Sequence, residues 1–229
     1  MGTLAATAFL ALLAAGDDRA LSLFQSVADA NPPTDDRLSC SYTTRATIQG
    51  RELEERFTPG EGWRLVAIGE RSPSLEELDR YERGADDRQR RGHPMEFDLA
   101  GMAREETVAL ADEDYATLTF TFALAPSEDS DAPPFLDKLQ GTLTVLKSGF
   151  TPTLFVLEAL EEVSPGPTVK IHEFRQETAF FRDPESGALL VEAVHVRMRG
   201  KAFLFKTLDE DRRVRYADYA CTPIASGPA

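Results

Sequence analysis

Between Ala116 and Leu124 the chain reads ATLTFTFAL, so Leu118, Phe120, Phe122 and Leu124 fall on one side of an extended strand and Thr117, Thr119, Thr121 and Ala123 on the other. Successive side chains of a strand point to opposite faces, so a segment divided this way buries one face and leaves the other polar. The period recurs at Leu38 to Ile48, where Cys40, Tyr42, Thr44, Ala46 and Ile48 alternate with Ser39, Ser41, Thr43, Arg45 and Thr47. Gln49-Gly50 turns that strand into Arg51 to Thr58, and PGEG turns again into Trp63 to Ile68. Three consecutive antiparallel strands follow from that spacing.

Further strands are expected at Thr107 to Ala111, Gly141 to Lys147, Leu154 to Glu161, Thr168 to Phe181 and Leu189 to Arg199, then Ala202 to Leu208 with Arg212 to Tyr219. No alternating strand-helix signal and no internal repeat interrupts them, so sequential hairpins imply a meander. The runs Leu154 to Leu157 and Phe203 to Phe205 are apolar on both faces. Either a doubly covered core strand or the lining of an apolar cavity would carry them.

Four helical segments punctuate the strands. Residues 21 to 37 begin as an amphipathic helix carrying Leu21, Leu23, Phe24 and Val27, and Asn31-Pro32-Pro33 stops it. Ser74, with Glu77 three residues on, is a capping-box pattern opening a charged helix whose apolar side is Leu75, Leu78 and Tyr81. Phe97 to Ala103 adds a short turn, and FLDKLQ from Phe135 another. A sheet of ten or eleven long strands with one apolar face must close into a barrel or be covered by helices. The expected fold is therefore mainly β: a single curved antiparallel sheet, an unclosed β-barrel, with helices covering its concave face.

The formal charge of -14, from 39 acidic and 25 basic residues, works against binding nucleic acid. Leu4 to Ala15 is an apolar run too short to span a bilayer, which takes about 20 residues. Small residues and two aspartates follow it, as after an export signal. No Lys or Arg precedes the run, which leaves an ordinary N-terminal helix as the alternative. The division expected is a leader at residues 1–16, a helix and linker at 21–37, one domain over 38–221 and a tail at 222–229, a monomer without a transmembrane segment. In an exported chain the two cysteines, Cys40 and Cys221, point to a disulfide closing a loop of roughly 180 residues. Two buried thiols are the other possibility.

A search for chemistry finds little. His93, His172 and His195 have no metal-ligand spacing, and there is no nucleophile elbow, phosphate loop or dinucleotide fingerprint. Glu54/Glu55 and Glu161/Glu162 are neighbours on strands and point to opposite faces. No catalytic residue, cofactor or metal is assigned. Arg197, Arg199 and Lys201 share a strand face, with Arg213 and Arg215 on what reads as the neighbouring strand. They form a candidate docking stripe on the convex side.

The order of strands, WRLVAIGERSPSLEEL as a third strand leading into a lid helix, the Leu118/Phe120/Phe122 strand, and the terminal run VRMRGKAFLFKTLDEDRRVRYADY together resemble the LolA/LolB-like lipoprotein-carrier superfamily over most of residues 38–219. That resemblance implies an unclosed barrel lidded by helices that sequesters acyl chains, and it carries no catalytic residue across. The expected function is a periplasmic carrier holding a hydrophobic ligand, the acyl chains of a lipid or acylated protein, between sheet and lid. Trp63, Leu65, Leu75, Leu78, Phe97, Phe120, Phe122 and Phe155 are the candidate cavity. The alternatives are an envelope sensor that docks a protein partner through the basic stripe, and a cofactor-free enzyme on the same scaffold.

Overall fold

A computed structural model describes residues 18–33, 38–48, 50–84, 98–125, 138–166, 168–203 and 206–224. The apolar run ahead of residue 17, His93, Phe97, the first half of FLDKLQ and the last five residues lie outside the described residues. Helix α1 (Asp18–Ala30) is followed by strands β1 (Leu38–Ile48), β2 (Arg51–Thr58) and β3 (Gly62–Ile68), then helices α2 (Leu75–Arg83) and α3 (Leu99–Met102). Strands β4 (Ala109–Glu113), β5 (Thr117–Ala123), β6 (Leu139–Leu146), β7 (Thr151–Ala159), β8 (Val163–Gly166), β9 (Val169–Arg182), β10 (Leu189–Ala202) and β11 (Lys206–Pro223) complete the chain.

All strand pairs are antiparallel and form one sheet in the order β3-β2-β1-β11-β10-β9-β7-β6-β5-β4, with β8 added beside β9. The edges β3 and β4 do not meet, so the barrel stays open. This is more than a meander, because β1 pairs with the last strand and the connection bearing α2 and α3 carries the chain from one edge to the other. The pairing sets Cys40 opposite Cys221, and the two sulfurs are bonded. FLDKLQ ends in strand, since Leu139 and Gln140 open β6.

Curvature follows from who shares the core. Phe24 and Val27 of α1 belong to one apolar cluster with residues from β5, β6, β7, β9 and β10, and Leu110 of β4 and Tyr216 of β11 pack against it. Strands lie about 4.8 Å apart, so β4 to β11 would span roughly 29 Å in a flat sheet. A helix about 10 Å across reaches all of them only if the sheet curls around it. Helix α1, read as lying ahead of the domain, is thus part of its core. Its buried residues Ala20, Phe24 and Val27 recur at helical spacing on one face.

Aromatic edges set the packing there. Phe24 meets Phe120 and Phe122 edge-on, at centroid distances of 5.6 and 5.2 Å, and Phe122 stacks on Phe155 at 6.1 Å. Gly141 lies opposite Phe122, where a Cβ would come within 2.6 Å of the ring, so only glycine leaves room for it. Asn31, buried at the end of α1, donates to the carbonyls of Val27 and Phe150 and accepts from Arg182 Nη2 at 2.6 Å. Those bonds satisfy the helix end and fix it to the β6–β7 connection and to β9.

Candidate functional site

The other half of the concave face is built differently. Across β10, β11, β1 and β2 the register places Val196, Arg212, Ile48 and Arg51 in one row. Neighbouring rows hold Val214, Ala46, Leu53 and Ile68, then Tyr216, Thr44, Glu55 and Leu65. Cross-strand partners share a face, so this surface is apolar with five polar interruptions: Arg212, Arg51, Thr44, Glu55 and Tyr216. Farther along, Tyr42 stacks on Phe57 at 5.3 Å and touches Trp63, Tyr216 and Tyr219. Burial raises the phenol pKa values of Tyr42, Tyr216 and Tyr219, so these groups stay neutral.

Helix α2 stands over this half without packing into it. None of its residues is buried, and Leu75, expected in the cavity, is 86% exposed. Local bonds hold the helix instead. The Ser74 amide donates to Glu77 Oε2 at 2.8 Å, the Glu77 amide donates to Ser74 Oγ, and Arg71 donates twice to the Glu77 carboxylate at 2.8 and 2.6 Å. Arg80–Glu76 and Arg83–Asp79 pair one turn apart on the exposed side. A side-chain bond from the helix to the sheet runs from the Tyr81 hydroxyl to Glu55 Oε1 at 2.7 Å.

A groove of about 560 Å³ lies between α2 and β1–β3. Its floor is Ile48, Leu53, Leu65 and Ile68, and Arg51, Glu77, Arg80 and Tyr81 form its rim. Ligand sites typically enclose about 300–1,000 Å³ of mostly apolar wall with a few polar groups. A second hollow, about 740 Å³, lies between the turn Asp183–Ser186 and the ends of β1 and β11. About half of its wall is polar, against a third of the groove's, so it is the larger space but the poorer apolar site.

The cavity expected from sequence therefore separates into three places. Phe120, Phe122 and Phe155 fill the core beneath α1. Trp63 belongs to the Tyr42 aromatic group. Leu65 floors the groove and the half-buried Leu78 is on the helix above it. The other floor residues, Ile48, Leu53 and Ile68, are not in that set, although they lie on strands that alternation and turn spacing place. Which of them meet depends on register, which spacing alone does not give.

The basic stripe also forms, but not as a uniform cationic surface. Arg197 pairs in register with Asp211 and Arg199 with Asp209. Arg199 also approaches Glu173 at 3.4 Å, Arg213 approaches Asp211 at 3.6 Å, and His195 Nε2 lies 2.8 Å from Asp211. His195 and its neighbours hold the Asp211 carboxyl below its usual range. Lys201 is exposed opposite Thr207, while Arg213 and Arg215 border a convex cleft with Arg45, Glu52 and Glu54. The face is a lattice of both signs. Glu54 and Glu55 divide as expected, Glu54 to Arg45 outside and Glu55 to Tyr81 inside.

The Arg71 contacts and the Ser74 amide draw the Glu77 pKa from 4.5 down to about 2. A depressed carboxyl contributes stability above its unfolded value and loses it as pH falls through the folded one. Amide protection in α2 is therefore expected to decline between pH 4.5 and about 2 while that of β5 and β6 persists. Glu77→Gln should produce the same local loss at neutral pH. Hydrogen exchange of Leu78 and Tyr81 reads both, and unchanged protection in E77Q would refute this role for the clamp.

No cluster of three or more metal-ligating side chains occurs among the described residues, and no described helix is long and apolar enough to cross a membrane. No protein-family model, curated protein or solved structure matches the chain.

Proposed function

We propose that this protein is an exported, periplasmic binding protein that holds an apolar chain, the acyl chain of a lipid or acylated protein, in the groove between α2 and strands β1–β3. The observation that carries this reading is a helix that is capped, clamped and tethered above an apolar floor, yet buries none of its own residues. A helix used only for packing would close that space, because a buried apolar side chain contributes about 1.5–3 kcal/mol. Each methylene taken from water into the groove would contribute about 0.8 kcal/mol. The Cys40–Cys221 bond fits an oxidising compartment. The lipoprotein-carrier resemblance agrees with this use of a sheet and a helix, though here α1 occupies the other half of the concavity.

Docking through Arg197, Arg199 and Lys201 is the weaker reading, because carboxylates are interleaved among the cations. The test is native mass spectrometry of protein purified without detergent, followed by solvent extraction. An apolar adduct is expected, and Ile68→Trp, which fills the groove, should lower its occupancy at least tenfold with little change in melting temperature. Equal occupancy in wild type and I68W would place the ligand elsewhere.

A further inference from the structure

Arg212 is a cation on the concave face that the rest of the sheet leaves unanswered. It lies beside Ile48 in the row that ends at Arg51, so it adjoins the groove floor. Its Nε is shut off from solvent and has no hydrogen-bond partner, and among the described residues no carboxylate pairs with its guanidinium. Four other arginines of β9–β11 have partners, Arg175 in Glu158 and Glu177, Arg182 in Asn31, Arg199 in Glu173 and Arg213 in Asp211, while Arg197 faces Asp211 in register and Arg215 is exposed to solvent. Two rows along, Thr44 is 2% exposed and its Oγ1 is also without a partner. The nearby acid, Glu55, has one carboxylate oxygen engaged by Tyr81. A half-buried charge with no counter-charge is costly, and a bound anion removes that cost.

We infer that Arg212 binds the anionic head of the apolar ligand, a carboxylate or phosphomonoester at the end of a single acyl chain, with the chain lying over Ile48 and Leu53 in the groove. This inference rests on the groove reading and gives it a ligand class. A guanidinium donates two parallel bonds to either head group, so both chemistries fit. Arg51 on the rim adds to the attraction for an anion at the mouth.

The experiment compares palmitate, monoacyl phosphatidate and uncharged hexadecanol by titration calorimetry against wild type, Arg212→Gln and Arg212→Met. At least one anionic ligand is expected to bind wild type about tenfold or more tighter than hexadecanol. R212Q and R212M should each weaken that ligand about 10- to 100-fold, the range for a charged hydrogen bond, and leave hexadecanol unchanged. Which anion shows the loss identifies the head group. The ligand-free variants should melt no lower than wild type, since they remove an unpaired charge; R212M also keeps the aliphatic stem. Equal binding of all three lipids, insensitive to both variants, would overturn the role of Arg212 and leave the groove standing. Failure of all three to bind wild type would overturn both.

Discussion

Replacing Cys40 and Cys221 together by alanine is expected to lower stability by about 3–5 kcal/mol, among the largest losses available to any double substitution here. The two residues are 181 apart in sequence, and the entropy of closing a loop that long corresponds to about 5 kcal/mol on the polymer estimate. For a chain of this size that is a fall in melting temperature of about 10 °C or more. The topology says where the loss should appear. Strands β1–β3 join the rest of the sheet only through the β1–β11 pairing, β3 is an edge, and α2 contributes no buried residue. The bond therefore fastens the half of the molecule that carries the groove. Hydrogen exchange after reduction should show β2 and β3 losing protection before β5 and β6, and lipid occupancy should fall with them. Calorimetry with and without reductant provides the first measurement; coincident transitions would show that the β1–β11 ladder holds unaided.

Much of this architecture was legible because its strands alternate. Leu38–Ile48 and Arg51–Thr58 have the same bounds in the structure as their sequence pattern indicated, and Ser74 and Glu77 form the capping box their spacing predicted. The sequence was less informative wherever a contact joins distant elements. Strand β8, Val163–Gly166, contains Pro165 and is too short to show a period, and nothing local reveals that β1 would pair with β11. Helix α1 carried a plain apolar face, but its partners Phe120, Phe122 and Phe155 are about 100 or more residues away. Assigning those phenylalanines to an open cavity therefore required knowing whether a helix fills it. Arg212 was invisible for a similar reason: in the run DEDRRVRY it is one charge among several, and only the register turns it inward while Asp211 and Arg213 point out.

The filled half of the concavity provides the second large effect and a control for the first half. Phe120 is fully buried, and Phe120→Ala should cost about 3–5 kcal/mol, through lost transfer free energy and the cavity left beneath α1. Phe24→Ala removes the facing ring and should cost about 3 kcal/mol or more. Because the two rings touch at 5.6 Å, the double substitution should cost measurably less than the sum of the singles. Chemical denaturation of the four proteins measures this, and strict additivity would mean that α1 does not pack on β5 as described. The same variants locate the ligand. If an acyl chain occupies the groove under α2, F24A and F120A lose stability but keep the wild-type affinity for the lipid, because their cavity lies across the sheet from Ile48, Leu53 and Ile68. If the chain instead inserts beneath α1, deleting Phe24 enlarges its site and the affinity rises. The sign of that change therefore decides which half of the concave face carries the ligand, independently of any substitution in the groove itself.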